Sequence, residues 1–311
     1  MADYKRHLED HLSEARNDAK VSAFLDQDLE AMESEIYRVE YPELKFRRIL
    51  PVDSNYPAGV ETISYRVMDA FGEAKFIAAG ADDLPLADLH GEKFSSNVES
   101  IGAGYAYNTH ELRASAMAGI PLDRERAQTA AEMIERKMDD AAAMGAPEVN
   151  MVGFANHPNV PVDASVAWAG ASADVILGEL NDFAQAQVTA TKELHPPDTL
   201  LLPPSLYGLI AVKLMNTANS NGETVLSQFL KTQPYIRTVE AWRPLETASA
   251  TGGKRCICYK RDPKVVKVAI PMETVANEPE RRGLKFIVPL EARFGGVIVK
   301  LPLAIRYLDV A

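Results

Sequence analysis

His157 stands between Asn156 and Pro158 in the stretch GFANHPNVPV (residues 153–162), where an imidazole on a loop could act as a general base or a metal ligand. Pro158 and Pro161 fix an extended or turned backbone around it, so a loop site and a hydrogen-bonded turn both fit the composition. Elsewhere the chemistry-bearing patterns are incomplete. His110-Glu111 begins an H-E-x-x-H zinc motif, but Ala114 holds the place of the second histidine, and one helix face then lacks its ligand pair. Gly170 to Asp174 follows a nucleophile elbow until Asp174 replaces the final glycine, which leaves Ser172 as a helix N-cap. Gly102 and Gly104 lack the third glycine of a dinucleotide loop, and TGGKR (251–255) lacks the earlier glycine and the Ser/Thr of a phosphate-binding loop. Cys256 and Cys258 in KRCICYKR offer two metal ligands with no second pair; on a strand they share one face, too far apart for an easy disulfide. No catalytic residue, metal site or cofactor is assigned.

Composition narrows the classes further. The 311 residues are 47% hydrophobic, ordinary for a globular protein with one large domain or two smaller ones. Lys and Arg number 33 against 44 Asp and Glu, and the net charge of -11 opposes a surface built to neutralise nucleic-acid phosphates or anionic lipid. The first residues, MADYKRHLEDHLSEAR, lack the apolar core of a signal sequence, and no apolar run reaches 18 residues. A soluble chain in a reducing cytoplasm, with no membrane partner, is expected.

The elements that would have to position a site read as α+β. A charged helical arm opens the chain, with Leu8, Leu12, Ala15 and Ala19 on one face, and FLDQDLEAMESEIYRVE follows before Pro42. From Gly59 the period shortens, and GVETISYRVMDAFGEAKFIAAG predicts a strand pair turned near Gly72. Much of residues 59–105 is then expected to be extended hairpin. The strongest helix follows over Leu122–Met144, with Asp123 as N-cap, Gly145 and Pro147 as the stop, and Ala127, Ala130, Ile134, Met138 and Ala141 as its packed stripe. A second helix is expected over 172–194, with Val175, Ile176, Leu180, Phe183, Gln187 and Thr191 inward. DTLLLPPSLYGLIAVKLM reads as a buried strand feeding a helix, and the chain from Tyr235 is mainly strands with turns at Gly252-Gly253 and Gly295-Gly296.

Such a chain carries an awkward shape in place of a site. A lone two-stranded ribbon is marginal in water, and a charged arm cannot bury enough apolar surface to offset its ordering entropy. Val67, Met68, Phe71, Phe76 and Ile77 put apolar surface on the projecting hairpin, and another copy of the chain is the economical partner for it. Assembly is expected.

The succession GVETISYRVMDAFGEAKFI, DDLPLADL, THELRASAMAGIPLDRERAQTAAEMIERKMDD, GFANHPNVP, DTLLLPPSLYGLI, TVLSQFLKTQPYIRTVEAW, CYKRDPKVVKVAIPME and FGGVIVKLPLAIRYLD resembles the major capsid proteins of tailed bacteriophages, from about residue 45 to the end. That family is similar to encapsulins and shares with them the Hong-Kong-ninety-seven-type capsid fold. The resemblance implies an N-terminal arm (1–52), an extended loop (53–105), a peripheral domain (106–148 and 285–311) with a spine helix (121–145), and an axial domain (149–284). It makes Val67, Met68, Phe71, Phe76 and Ile77 inter-subunit contacts of the extended loop, and it makes His157 a turn residue between spine helix and axial domain.

By the same resemblance the function is a virion shell of pentamers and hexamers, icosahedral, enclosing double-stranded DNA without sequence-specific binding and built in the host bacterial cytoplasm. Some relatives carry a long helical scaffolding segment at the N-terminus; this arm is too short for one, so a scaffold is expected to come from a separate protein or to be absent, and portal and decoration proteins are the other partners the resemblance implies. Lys75 and Lys93 lie in the loop, but nothing around them shows the lysine–asparagine crosslink of some relatives. A shell filled by a motor has no need of a basic lining, which would grip DNA and oppose packing and ejection. An encapsulin-like nanocompartment and a cytosolic enzyme with an unrecognised site are the alternatives.

Overall fold

The periodic stripe between Leu122 and Met144 folds as one 23-residue α-helix, about 35 Å long at roughly 1.5 Å per residue. Ala130, Ile134, Met138 and Ala141 are buried and Ala127 is half-buried, while Glu132 and Asp140 on the other face are exposed. Gly145 stops the helix in the left-handed region at φ 79°, where a side chain would be strained. The chain then doubles back: Gly145 pairs with Val152 and Ala146 with Met151. A Cβ on Gly145 would meet the Met151 carbonyl oxygen at 2.3 Å, and one on Gly153 would meet the Gly145 nitrogen at 2.3 Å, so both positions demand glycine.

The computed structural model describes residues 43–71, 88–118, 122–215 and 222–310. The arm stripe of Leu8, Leu12, Ala15 and Ala19 lies outside them, as do Phe76 and Ile77. Residues 44–311 make one compact unit.

Five strands form a mixed sheet in the order Val162–Ser165, Ile305–Val310, Lys254–Tyr259, Thr199–Leu202, Thr238–Ala241. Its side chains alternate between two cores, as the pleat dictates. Leu201, Ile257, Tyr259, Ile305 and Tyr307 join the cluster under the long helix, together with Phe154, Trp242 and Val268. Leu200, Leu202, Cys256, Cys258, Leu308 and Val310 join a second cluster under the helix Ala173–Ala190. That helix ends four residues before the sequence expectation, and Ser172 caps it, accepting from the Val175 N–H at 3.4 Å. Val175, expected inward, is 46% exposed, because it sits in the first turn beyond the edge of the packed stripe.

A four-stranded antiparallel sheet covers the other side of the long helix. Glu99–Asn108 pairs with Lys285–Phe294 over ten residues, and Met272–Ala276 and Glu280–Arg282 pair with the far edge of Lys285–Phe294. Two sequence expectations change here. Residues 99–105, grouped with the hairpin, belong to this sheet; their partners, 183 residues away or more, are invisible to local period. Residues 305–310, expected with the peripheral strands, lie instead in the five-stranded sheet, between two strands of the region expected to be axial.

Charged groups lock the junctions. The Arg255 guanidinium, nearly buried, donates to Asp309 at 2.6 and 2.8 Å and to the Ala155 carbonyl at 2.7 Å, and it lies 4.8 Å over the Tyr307 ring. Burial opposes the Asp309 charge, but Arg255 and Ser249 hold its carboxyl below the usual range. Asp139 on the long helix accepts from the Lys45 and Phe46 N–H groups at 3.2 and 3.0 Å and so caps the short helix Phe46–Ile49 from outside, though burial raises its pKa. Arg47 bridges Glu135 and Glu273, at 2.8 and 2.7 Å.

Candidate assembly surfaces

The stretch around His157 closes the long helix. Phe154 and Ala155 donate to the Ala142 and Ala143 carbonyls at 2.8 and 2.9 Å, and Asn156 Nδ2 donates to the Met144 carbonyl at 2.7 Å. Three carbonyls that a helix end leaves orphaned are thus satisfied. Asn156 Oδ1 also accepts from the Gly153 N–H at 3.0 Å, and His157 Nδ1 accepts from Asn159 at 3.3 Å. Burial pushes the imidazole's pKa down, and its backbone N–H donates to the Tyr307 hydroxyl at 3.2 Å. His157 is a turn residue. Asn156→Ala should cost about 1–2 kcal/mol, since two bonds at a helix end lose their shared side chain; urea denaturation would read it as a lower midpoint at constant slope.

The other chemistry-bearing residues are also accounted for by local structure. Glu111 accepts from the Asn108 N–H and pairs with Arg126 at 2.9 Å; it helps cap the helix Thr109–Ala118. Gly102 and Gly104 sit inside a strand, where a Cβ on Gly104 would press the Val288 carbonyl at 3.3 Å. Gly252, at φ 76°, serves a turn. Cys256 and Cys258 share one face of their strand, fully buried; burial raises both thiol pKa values, and Cys258 Sγ donates to Gln187 Oε1 at 2.8 Å. A thiol-reactive probe should therefore label neither cysteine in the native protein and both after denaturation. Among the described residues no three His, Cys, Asp or Glu side chains gather as a metal site.

What remains conspicuous is a ribbon. Thr62–Phe71 pairs with Asp88–Asn97 in ten antiparallel pairs, reaching about 34 Å at roughly 3.4 Å per residue. The expected turn near Gly72 is not the pairing found: the partner strand is the polar stretch DLHGEKFSSN, whose weak alternation hides it. Among the described residues, the packing against a core cluster lies at the base. Ile63 packs with Val98, Ala269 and Ile298, Tyr65 donates to the Val299 carbonyl at 3.1 Å, and Ser96 donates to the Gly295 carbonyl at 2.9 Å. Beyond Tyr65 and Phe94, stacked at 5.5 Å, no described ribbon residue belongs to a core cluster. Val67 is half-buried, Met68 is 65% exposed, and Phe71 ends its strand.

A family model described as major capsid protein matches residues 72–310. The chain belongs to that family. The fold of this capsid protein is similar to that of the capsid of Myoviridae phage XM1, at 21% identity over 92% of this chain and 98% of that one, with a TM-score of 0.78. A structure from Mycobacterium phage Bobi aligns over 91% and 95% of the two chains, at 15% identity and a TM-score of 0.65. A virus-like particle from Pyrococcus furiosus aligns over 86% and 92%, at 14% identity and a TM-score of 0.54. A search of curated proteins finds no match. The α+β architecture is thus the Hong-Kong-ninety-seven-type capsid fold. A major capsid protein is a structural component of the virion, not an enzyme, and it works by associating with copies of itself.

Proposed function

We propose that this capsid protein closes an icosahedral shell of pentamers and hexamers around double-stranded DNA, with the ribbon 62–97 of each copy lying on a neighbour. The observation that carries this reading is the ribbon itself: ten pairs of strand whose described packing against a core cluster lies at the base. In this reading Val67, Met68, Phe71, Phe76 and Ile77 are contacts between copies. The stripe Ala127, Ala130, Ile134, Met138 and Ala141 holds the spine helix, and the five-stranded sheet with helix Ala173–Ala190 is the axial body. Scaffolding, portal and decoration proteins are separate partners, and assembly takes place in the host bacterial cytoplasm. The likeness to a Pyrococcus particle keeps a cargo-filled nanocompartment as the second reading.

Purified protein should sediment as large closed particles, visible by negative stain as round shells with five- and six-fold clusters. A small, stable oligomer across a hundred-fold concentration range would overturn the shell reading. Nuclease-protected DNA in particles recovered from infected or induced cells separates the virion from the cargo shell.

A further inference from the structure

We infer that one edge of the five-stranded sheet is a phosphate-contacting surface, where the backbone of the enclosed double-stranded DNA rests on Arg237, Lys260, Arg261 and Lys264. The inference rests on the shell reading and adds the face of the subunit that meets the genome. Ile305, Thr199 and Thr238 begin their strands and Tyr259 ends its own, and these four residues pair in succession across the sheet. The connections 191–198, 233–237, 260–265 and 300–304 therefore reach the same edge side by side. At roughly 4.8 Å per strand their row is about 14 Å wide.

Hydrogen bonds draw the row together. The Arg261 N–H donates to the Asp198 carboxylate at 2.8 Å, the Arg237 N–H to the Asp198 carbonyl at 2.9 Å, and Lys300 Nζ to the Pro263 carbonyl at 3.0 Å. The row carries Lys192, Arg237, Lys260, Arg261, Lys264 and Lys300 against Glu193, Asp198 and Asp262, a local excess of cations in a chain of net charge -11. Two of the acids are turned to their own loops. Asp198 Oδ1 accepts from the Thr199 hydroxyl as well as from Arg261, and Asp262 Oδ1 accepts from the Lys264 N–H, each at 2.8 Å. None of the six cations has an ion-pair partner among the described residues, and Arg237, Arg261 and Lys264 are exposed. At Lys300 burial and the nearby charge of Lys267 both push the amine's pKa down, a sign of cations crowded together.

A row of unanswered charge on loops, with no pocket between them, suits a linear polyanion, and contacts to phosphate carry no sequence information. Leu194, Tyr235 and Leu303 are also exposed here, one from each of three connections, but single apolar side chains are an ordinary feature of surfaces. Four phosphates per copy make a contact whose affinity falls about a hundred-fold between roughly 50 and 200 mM salt. Such a contact positions DNA without gripping it against the motor. An acidic protein segment is the competing occupant.

Full-length subunit kept below its assembly concentration should bind a short fluorescent duplex of random sequence with that salt dependence. Arg237→Glu/Arg261→Glu/Lys264→Glu should bind at least ten-fold more weakly at about 50 mM salt, with a log–log salt slope flatter by about three, at wild-type melting curve and particle yield. Arg243→Glu/Lys254→Glu, at the opposite edge of the sheet, should bind as wild type does. In filled particles recovered from cells, an amine-acetylating reagent read by mass spectrometry should modify Lys260 and Lys264 several-fold more slowly than in the same particles emptied of DNA. Undiminished duplex binding by the triple-Glu variant, or equal acetylation of filled and emptied shells, would overturn the inference. Loss of particles by that variant would assign the row to a protein partner and overturn it too. Wild-type protein that forms no particles, or particles that enclose protein, is the separate failure of the reading on which the inference rests.

Discussion

Trimming the ribbon should abolish shells and leave the subunit folded. Replacing residues 67–92 with Asn-Gly joins Arg66 to Lys93, which already face each other across the pair, through a turn whose twist suits a hairpin. The deletion removes Val67, Met68, Phe71, Phe76 and Ile77, yet among the described residues it removes no member of the three core clusters, whose ribbon residues stop at Ile63 and Tyr65. Circular dichroism should then give a melting midpoint within a few degrees of wild type, since changes away from buried features usually fall within about 0.5 kcal/mol. Sedimentation velocity should show subunits or single small rings. Contacts repeated around a shell multiply, so losing one per copy raises the concentration needed for closure by orders of magnitude. Normal particles would remove the ribbon from assembly; unfolding in step with lost particles would make it part of the core.

The second large effect lies within the fold. Met138 is fully buried on the long helix, in the cluster that also holds Phe154, Trp242 and Tyr259. Met138→Asp puts a carboxylate where no donor awaits it, and the subunit should lose about 4 kcal/mol, a large share of an ordinary domain's stability. Glu132→Lys on the exposed face of the same helix should shift the midpoint by about 0.5 kcal/mol or less. Similar small shifts for both would mean that the helix packs through another face.

What the sequence made legible was whatever local period could encode. The helix Leu122–Met144, its stop at Gly145 and the cap at Ser172 all follow from spacing and from residue chemistry within a few positions. The order of segments carried the family before any contact was known, and the shortage of complete motifs was itself informative. The hidden part consists of pairings at a distance. Asp139 caps a helix that begins 93 residues earlier, and strand Asp88–Asn97 has composition closer to a loop than to a sheet.

One feature of the five-stranded sheet bears on how the protein is made. Strand Ile305–Val310 sits in its interior, pairing with Lys254–Tyr259 on one side and with Val162–Ser165 on the other, and it feeds side chains to both cores. A nascent chain leaves the ribosome at about 5–20 residues per second, and the slot for this strand stays open until residue 310 has emerged. Neither core can close before then. A polypeptide released early is left with two unpaired strand edges and an uncovered apolar floor, so it is marked for chaperones and proteases and never presents a finished subunit to a growing lattice. In a structure that repeats one chain many times over, the interior place of strand Ile305–Val310 makes both cores of every subunit wait for the same late segment.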